Sequence, residues 1–359
     1  MKILIVGAGL YGAVMAALFI KDGHSVDVID KRSHIGGNCY SEKMDSIDVH
    51  RYGPHIFHTS CKEVWDFITD YAEFEQFNMT AKAMYGGRLY SFPINLQTIN
   101  EVFGVQTPNE AIQLISGKTI SFPDGPRNIE DVALEKVGIQ LYNMFIKDYV
   151  KKQWGRPARD LPAFIINRLP VRFTYNPSYY NDAWVGIPKE GYTALIGNML
   201  SSTTVMLNKK YDKRMETAYD KIIYTGPIDE FFEHRRGHLE YRSLKFEFKT
   251  YNMQDYQGIP MIAYPEEKYP FTRKVEYKYF LKSQEYSMKT VVSTEYPSST
   301  GEPYYPVNDK KNNDILTLYK KDAKEISDRF VFGGRLGSYT YLDMDKAVYQ
   351  AMQDYKTIN

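Results

Sequence analysis

A glycine-rich turn near the start of the chain, between an apolar run and an alanine-rich run, limits the possible folds more than any other feature. Residues 7–12 read GAGLYG, which matches the pattern G-x-G-x-x-G, and Asp30 follows 18 residues after the last glycine. In a βαβ unit such glycines permit a tight turn and a close backbone approach to a pyrophosphate, while the acidic residue binds a ribose hydroxyl. The sequence therefore predicts a dinucleotide-binding unit of strand, helix and strand over Lys2–Val6, Leu10–Asp22 and Ser25–Asp30.

The composition is that of an ordinary globular protein without a strongly charged partner. Its 359 residues favour two or three domains, and 45 Lys and Arg against 44 Asp and Glu leave a net charge of +1, so nucleic acid is not expected as a partner. Two cysteines, Cys39 and Cys61, cannot build a disulfide framework, and a cytoplasmic location is expected. The glycine turn interrupts the uncharged run Ile3–Ile20, so no membrane span is predicted. The 31 tyrosines suit a sugar or nucleotide pocket.

Beyond residue 100 the sequence changes from helical to proline-rich and then to strand-like patterns. Apolar residues at three- and four-residue spacing predict helix over Asn109–Lys152, and the prolines between 157 and 177 mark a candidate mobile loop. Alternating runs such as Leu239–Phe248 and Tyr277–Leu281 predict antiparallel strands. The C-terminal part predicts a strand, a turn and a helix over Phe330–Phe332, Gly333-Gly334 and Asp345–Lys356.

Two further segments indicate which dinucleotide is bound. Residues 31–38, KRSHIGGN, place basic residues and a second glycine pair after the acidic strand end. FAD-dependent enzymes of the glutathione-reductase-like superfamily have such a segment, and simple NAD dehydrogenases generally do not. Near the C-terminus, Gly334-Arg335 and residues 343–345 would bring a helix N-terminus and an arginine to the flavin ring, where positive potential stabilises an anionic reduced flavin. FAD is therefore the predicted cofactor.

Four longer segments resemble the bacterial UDP-galactopyranose mutase family, and the resemblance covers nearly the whole chain. They are HRYGPHIFHT at 50–59, KQWG at 152–155, RLPVRF at 168–173 and GRLGSYTYLDMD at 334–345. The resemblance implies an α/β fold: a Rossmann-like FAD-binding domain, a helical-bundle domain that carries a mobile substrate loop, and an antiparallel β-sheet domain. The expected boundaries are 1–76, 187–230 and 306–359 for the first, 102–186 for the second, and 77–101 with 231–305 for the third.

The resemblance also implies an activity, that of an isomerase (intramolecular transferase) that interconverts the pyranose and furanose forms of a UDP-hexose. FAD is expected to be active when reduced, its N5 forming a covalent adduct with the anomeric carbon while the protein neutralises and positions the diphosphate. The implied substrate is UDP-galactose, UDP-N-acetylgalactosamine or both, and the product supplies furanose units for cell-surface polysaccharide. A reductant such as NAD(P)H and a homodimer are also expected.

Site residues follow from the same resemblance. Arg168 and Arg273 match two arginines that grip the pyrophosphate, and His58 matches a histidine beside the flavin; these are the predicted catalytic residues. The other predicted substrate contacts are Phe145, Tyr149, Val150, Trp154, Tyr179, Ala263, Tyr305 and Tyr341. The predicted cofactor contacts are Gly7, Gly9, Tyr11, Gly12, Asp30, Gly37, Asn38, His55, Ile56, Arg335, Leu342, Asp343, Met344, Asp345 and Ala347. No metal site is predicted, because no carboxylate or thiolate cluster joins His50, His55 and His58.

Three positions depart from the family pattern and leave the substrate open. Ala263 and Val150 stand where the galactose enzymes carry an asparagine and a threonine, so hydrogen-bonding groups are lost. Arg51 is not expected in galactose-only enzymes and offers a donor for an acetamido carbonyl, so UDP-N-acetylgalactosamine is the leading alternative sugar. A dTDP-6-deoxyhexose mutase is another alternative. Two rivals of other classes are a flavin-dependent oxidoreductase of amine-oxidase type and a catalytically idle FAD-binding protein; the presence of Arg168 and Arg273 speaks against the latter.

Overall fold

The computed structural model describes residues 1–166 and 170–358, which form a mixture of helices and sheets. The strands are β1 Lys2–Val6, β2 Ser25–Ile29, β3 Ser41–Met44, β4 Ile47–His50, β5 Phe57–Thr59, β6 Phe74–Gln76, β7 Ala81–Tyr85, β8 Arg88–Phe92, β9 Trp184–Pro188, β10 Thr204–Met206, β11 Lys221–Tyr224, β12 Tyr241–Tyr251, β13 Met261–Ala263, β14 Arg273–Glu276, β15 Thr290–Ser298, β16 Tyr305–Pro306 and β17 Phe330–Phe332. The helices are α1 Leu10–Lys21, α2 Lys62–Thr69, α3 Leu96–Phe103, α4 Pro108–Ser116, α5 Ile129–Leu141, α6 Lys147–Trp154, α7 Gly191–Met199, α8 Ile228–Phe231, α9 Lys310–Glu325, α10 Gly334–Gly337 and α11 Met344–Ile358.

A five-stranded parallel sheet, in the order β10-β2-β1-β11-β17, positions the glycine turn. In its middle strand Ile3, Leu4 and Ile5 are completely buried, as expected for a parallel strand covered on both faces. The turn follows β1 at the carboxyl edge of the sheet, where nucleotides bind in folds of this kind. The predicted strand–helix–strand unit is confirmed, with α1 and β2 each ending one residue earlier than predicted.

A second, seven-stranded sheet has the order β16-β12-β15-β14-β13-β7-β8. Its neighbouring strands are antiparallel except for β13 and β7, which pair in parallel. In this sheet the register places Arg273 of β14 directly opposite Glu295 of β15. Two smaller antiparallel groupings, β3-β4 and β5-β9-β6, complete the sheets of the described chain.

The helices α3 to α6 pack with β7, β8 and β13 around a cluster of buried apolar side chains. The prediction of continuous helix over Asn109–Lys152 is partly wrong, because residues 117–128 are not helical. Glycines 117 and 125 and prolines 123 and 126 in that stretch explain the interruption. A π-helical turn, Tyr142–Ile146, joins α5 to α6. Across the described ranges, none of the helices is both long and apolar enough to span a membrane.

Two local predictions are wrong. The segment Tyr277–Leu281, predicted as a strand, contains the 3-10 turn Tyr277–Phe280. Apolar side chains at 277, 279 and 281 gave the alternation of a strand, but Tyr277 and Phe280 are both buried, and a three-residue spacing places them on the same side of a 3-10 turn. The predicted turn at Gly333-Gly334 is instead the start of the one-turn helix α10, with Gly334 at a φ of 69°.

Candidate active site

The turn after β1 forms a cradle lined by backbone atoms. Gly9 precedes α1 without any side-chain cap, so no side chain covers the first N–H groups of the helix. A Cβ atom on Gly37 would lie 2.9 Å from Cα of Gly9, and a side chain at either position would fill the space before the helix. Unpaired N–H groups at a helix N-terminus attract anions. These residues therefore fit the pyrophosphate of FAD.

Asp30 lies beside this cradle in a fixed orientation. Its Oδ2 accepts a hydrogen bond from the N–H of Ala8, and its Oδ1 accepts one from the N–H of Arg32, both at 2.8 Å. Arg32 in turn donates to Oδ1 of Asn38 at 3.1 Å and lies over the ring of Tyr52 at 4.5 Å. Each carboxylate oxygen retains a second lone pair, so Asp30 can also accept a ribose hydroxyl.

Two other predicted cofactor residues lie deeper in the fold. Tyr11 donates from its hydroxyl to Oδ2 of Asp354 at 2.7 Å, which joins α1 to α11. Its ring packs so closely on Gly333 that a Cβ atom there would lie 2.0 Å from Cζ of Tyr11. Ile56 is 3% exposed and belongs to the main apolar core. In the structure Tyr11 and Ile56 therefore contact other residues of the protein, within the part of the chain expected to bind the cofactor.

Arg335 organises the C-terminal segment. Its guanidinium donates to the carbonyl of Leu342 at 2.5 Å and to the carbonyl of Tyr304 at 3.2 Å. Its Cζ lies 5.0 Å from the ring centre of Tyr341 and 5.6 Å from that of Tyr305. The two tyrosine rings stack on each other at 5.5 Å. A fixed positive charge therefore lies against an aromatic pair.

The start of α11 follows directly. Asp345 is 6% exposed, and its carboxylate accepts hydrogen bonds from the N–H of Lys346 at 2.7 Å and from the hydroxyl of Thr59 at 3.4 Å. The N–H of Ala347 donates to the carbonyl of Asp343 at 2.9 Å, and Met344 packs against the core. These bonds connect the segment 343–347 to β5, the strand that carries His58.

A largely buried charge pair joins β14, the middle strand of the large sheet, to its neighbour β15. Nη2 and Nε of Arg273 lie 2.7 and 2.8 Å from Oε2 of Glu295, and the side chains are 19% and 2% exposed. The hydroxyl of Thr272 donates to Oε1 of Glu295 at 3.3 Å. Burial alone would lower the pKa of Arg273, but the charge of Glu295 raises it, so the guanidinium keeps its charge.

Tyrosines surround this guanidinium. Burial raises the pKa of Tyr149, Tyr179 and Tyr305, while the charge of Arg273 opposes that rise in each case. Their hydroxyls are therefore protonated donors at neutral pH. Trp154 lies 6.2 Å from the ring of Tyr305 and extends the aromatic group. The structure thus gathers four predicted substrate contacts with Arg273, and the set offers a cation and neutral donors suited to a sugar diphosphate.

His58 is oriented by an acidic residue that sequence reasoning missed. Its Nδ1 donates to Oδ2 of Asp182 at 2.7 Å, and its ring stacks on Tyr180 at 4.0 Å. Ser60 donates to the second oxygen of Asp182 at 3.0 Å. Asp182 therefore holds the proton on Nδ1 and fixes the plane of the imidazole.

His55 is held as a neutral imidazole. Its backbone N–H donates to Nδ1 of His50 at 3.0 Å, and its own Nδ1 donates to the carbonyl of Gly53 at 2.7 Å. Burial lowers the pKa of His55 to about 4, and the charges of Arg335 and Arg273 add to that effect against the opposing bond to Gly53. Burial also lowers the pKa of His50.

We expect this depressed pKa to make the protein acid-sensitive. Between the unfolded value of 6.5 and about 4 the unfolded chain binds a proton at His55 and the folded chain does not, so stability is present above pH 6.5 and falls as the pH falls. At pH 5 the loss is about 2 kcal/mol relative to pH 7.5. Urea denaturation at both pH values should show this loss in the wild type and His24→Gln, and a smaller one in His55→Gln. Equal losses of stability in the wild type and both variants would contradict this role of His55.

The predicted substrate contacts Phe145, Val150 and Ala263 share one buried apolar cluster. Phe145 lies 5.5 Å from the ring of Tyr90, and Ala263 pairs with Arg273 across the sheet. Val150 and Ala263 are 7% and 5% exposed, so both form apolar wall rather than hydrogen-bonding positions.

Arg51 has partners outside the tyrosine group. Its Nε lies 3.4 Å from Oε1 of Glu42, and its Cζ lies 4.3 Å from the ring centre of Phe248. Together with His34 and Tyr52 it lines a cavity of about 280 Å³ on the cofactor side. The contacts that the structure gives Arg51 are thus with Glu42, Met44 and Phe248.

Lys152, in the KQWG segment, is enclosed by backbone oxygens. Its ammonium donates to the carbonyls of Tyr264, Glu266, Tyr269 and Phe271, the last at 2.9 Å. These carbonyls belong to the loop that leads into Arg273. Burial lowers the pKa of Lys152 to about 8, so the group is still mostly protonated at neutral pH.

Replacing Lys152 with methionine should therefore destabilise the protein. The change keeps the apolar stem but leaves four carbonyls without their shared donor, and we expect a loss of about 2 kcal/mol in the free energy of unfolding. Urea denaturation measures it. Lys151→Met is the matched control, because Lys151 is 55% exposed and its ion pair with Glu267 lies at the surface. Equal stability of the two variants would show that the cage contributes little.

Sequence reasoning missed three residues that the structure ties to the site, Glu295, Asp182 and Lys152. Glu295 lies 22 residues after its partner, and Asp182 lies 124 residues after His58. A single charged residue in an otherwise uncharged strand-like segment was the available signal for Glu295. The predicted catalytic Arg168 lies outside the described residues.

Comparison with known proteins agrees with this geometry. The UDP-galactopyranose mutase family profile matches residues 144–341, and a profile for NAD(P)-binding Rossmann-like domains matches residues 5–71. The chain is 40% identical to the "Probable UDP-galactopyranose mutase" of Klebsiella pneumoniae over 98% of this chain and 93% of that protein. The chain belongs to the UDP-galactopyranose mutase family. The predicted FAD-dependent enzyme of isomerase type and the predicted fold class are thereby confirmed.

A relative with a different name is about as similar in sequence. The chain is 39% identical to the "dTDP-fucopyranose mutase" of Escherichia coli over 98% of this chain and 97% of that protein. Among solved structures, a reduced UDP-galactopyranose mutase superposes with a TM-score of 0.80 at 14% identity, covering 99% of this chain and 93% of that one. A putative protoporphyrinogen oxidase from Exiguobacterium superposes with a TM-score of 0.69 at 12% identity, covering 99% and 98%. The last two likenesses concern the fold alone.

Proposed function

We propose that this family member interconverts the pyranose and furanose forms of a nucleoside-diphosphate hexose. The observation that carries the proposal is the Arg273–Glu295 pair facing the tyrosine group, because it offers a charged fork where a diphosphate would develop negative charge. UDP-galactose and UDP-N-acetylgalactosamine are the substrates we expect first, and the products would supply furanose units for cell-surface polysaccharide.

In this proposal the residues of the chain bind and orient the substrate and neutralise the charge of its diphosphate. Arg273 meets the diphosphate, and Glu295 sets the direction of its guanidinium. The hydroxyls of Tyr149 and Tyr305 donate to the sugar or diphosphate. When bound, reduced FAD supplies the nucleophile for the anomeric carbon. Arg168, from the proline-rich segment, is proposed as the second diphosphate arginine, which that segment would deliver as it closes over the substrate.

The flavin side of the site has three proposed roles. Arg335 supplies positive charge against the aromatic pair Tyr305 and Tyr341. His58, fixed by Asp182, is proposed to lie beside the flavin ring. The neutral state of His55 keeps a third positive charge out of this region.

A dTDP-6-deoxyhexose is the second candidate substrate. It is favoured by the 39% identity to a protein named dTDP-fucopyranose mutase and by the apolar wall at Val150 and Ala263, where hydrogen-bonding side chains are absent. The engagement of Arg51 by Glu42 gives less support to an acetamido contact at that residue.

The test is a substrate panel. Dithionite-reduced enzyme is incubated separately with UDP-galactose, UDP-N-acetylgalactosamine and dTDP-fucose, and furanose products are quantified by chromatography to give kcat/KM for each. Furanose from at least one of them is expected. If none is converted, the proposed reaction is wrong; if only the dTDP sugar is converted, the UDP-hexose assignment fails and the second candidate replaces it. An unchanged ratio between galactose and N-acetylgalactosamine in Arg51→Ala would remove Arg51 from sugar selection.

The remaining expectations are part of the same proposal. A reductant such as NAD(P)H would keep the flavin reduced, and we propose a homodimer in the cytoplasm. The domain boundaries given above also stay predictions; the strand β9 crosses the boundary drawn between 186 and 187.

A further inference from the structure

A group of metal-binding side chains lies apart from the mutase site, at the turn after α8. Asp229, His234 and His238 each direct one ligand atom to a common space, and these atoms all lie within 4.8 Å of one another. Oδ2 of Asp229 and Nδ1 of His234 are 3.2 Å apart. Ligand atoms about 2.0 Å from a tetrahedral zinc ion are separated by about 3.3 Å, so this pair already has the required spacing.

The backbone of the turn holds the two inner residues in place. Glu233 and His234 have φ angles of 54° and 56°, a left-handed conformation that is uncommon for residues other than glycine. The N–H of His234 donates to the carbonyl of Asp229 at 2.8 Å, and the N–H of Leu239 donates to Oδ2 of Asp229 at 3.0 Å. The turn therefore places the imidazole of His234 beside the carboxylate of Asp229 and fixes it in that position.

The charge of Asp229 lacks a permanent cation. The residue is 3% exposed, and within residues 1–166 and 170–358 no Lys or Arg forms an ion pair with it. The neighbouring Arg235 and Arg236 both pair with Asp322 instead. The neighbouring polar group is the neutral hydroxyl of Tyr241, whose pKa is raised by burial first and then by the carboxylate of Asp229. A buried carboxylate without a cation is costly.

We propose that Asp229, His234 and His238 bind one divalent cation of the zinc class. Two imidazoles and one carboxylate are a donor set that favours zinc. Magnesium and calcium take oxygen ligands instead. His238 is exposed at the surface, so its side chain can rotate toward the other two ligands and leave the fourth position to water. This site differs from the three histidines considered in the sequence analysis, and it is independent of the proposed mutase function.

Zinc titration of the purified flavoprotein, without a polyhistidine tag, tests the site. Isothermal calorimetry with zinc chloride at pH 7.5 should give one site per chain with micromolar or tighter affinity. His238→Ala should weaken the affinity by at least about 100-fold, because even outer partners of metal ligands contribute 10–100-fold. His24→Ala, which removes a histidine near the N-terminus, should bind as the wild type does.

Further measurements keep the result interpretable. His238 is exposed, so its alanine variant should retain the wild-type melting temperature without zinc, whereas His234→Ala also removes a hydrogen bond to Asp229. Affinity should fall from pH 7.5 to 5.5, because the imidazoles must lose protons to bind the metal. Millimolar affinity in the wild type, or equal affinity in wild type and His238→Ala, would overturn the proposal.

Discussion

Replacing Arg273 with alanine is expected to lower kcat by at least about 100-fold, which corresponds to about 2.7 kcal/mol of barrier. The guanidinium is the charged donor at the centre of the tyrosine group, and its two contacts with Glu295 fix its orientation before substrate binds. Arg273→Lys should recover little, since an ammonium cannot form two parallel bonds to a diphosphate. Steady-state assays of reduced enzyme with the best substrate of the panel measure the effect.

A neighbouring residue provides the control for this change. Lys274 follows Arg273 on β14, and successive side chains of a strand point to opposite faces. Lys274 bonds instead to the hydroxyl of Tyr256 at 3.0 Å. Lys274→Ala should therefore keep most of the activity. If Arg273→Ala folds, binds FAD and retains most of its turnover, Arg273 has no place in the site. We expect Arg168→Ala to lower kcat as much as Arg273→Ala does.

The dinucleotide-binding unit was predictable because its determinants are local. The spacing of the glycines and the position of Asp30 lie within 30 residues, and the close approach of Gly37 to Gly9 follows from the same short segment. The errors lie where short-range patterns are ambiguous. Residues 277–281 carry apolar side chains that fit a strand or a 3-10 turn equally, and the choice depends on packing against the rest of the chain.

The site was predictable only as a set of residues, not as an arrangement. Motif resemblance assigned Arg273 and His58, but it did not supply their partners, because Glu295 and Asp182 are brought to them by strand pairing between distant segments. Lys152 lies within a quoted motif, yet its role depends on a loop 112 to 119 residues further on. The positions of partners across a sheet follow from register, which composition and spacing do not determine.

The second large effect concerns the oxidation state of the cofactor. We expect turnover from enzyme with reduced FAD to exceed that of the oxidised enzyme by at least about 100-fold. Interconversion of a pyranose and a furanose leaves the sugar's oxidation state unchanged, so the flavin cannot serve as a net oxidant. Only its reduced form has an electron-rich nitrogen able to displace a diphosphate, and in the proposed site the charge of Arg335, held beside Tyr341, would favour the anionic reduced ring.

Anaerobic assays of one preparation before and after dithionite treatment measure this dependence. Reoxidation in air should return the activity to its initial low level, which separates loss of the reduced flavin from damage by dithionite. Arg273→Ala should be inactive in both states. Equal furanose formation by oxidised and reduced enzyme would contradict a direct chemical role for the reduced cofactor. In a separate assay under air, hydrogen peroxide formed in proportion to substrate consumed would instead support the amine-oxidase alternative, since that chemistry needs an oxidised flavin and molecular oxygen as its electron acceptor.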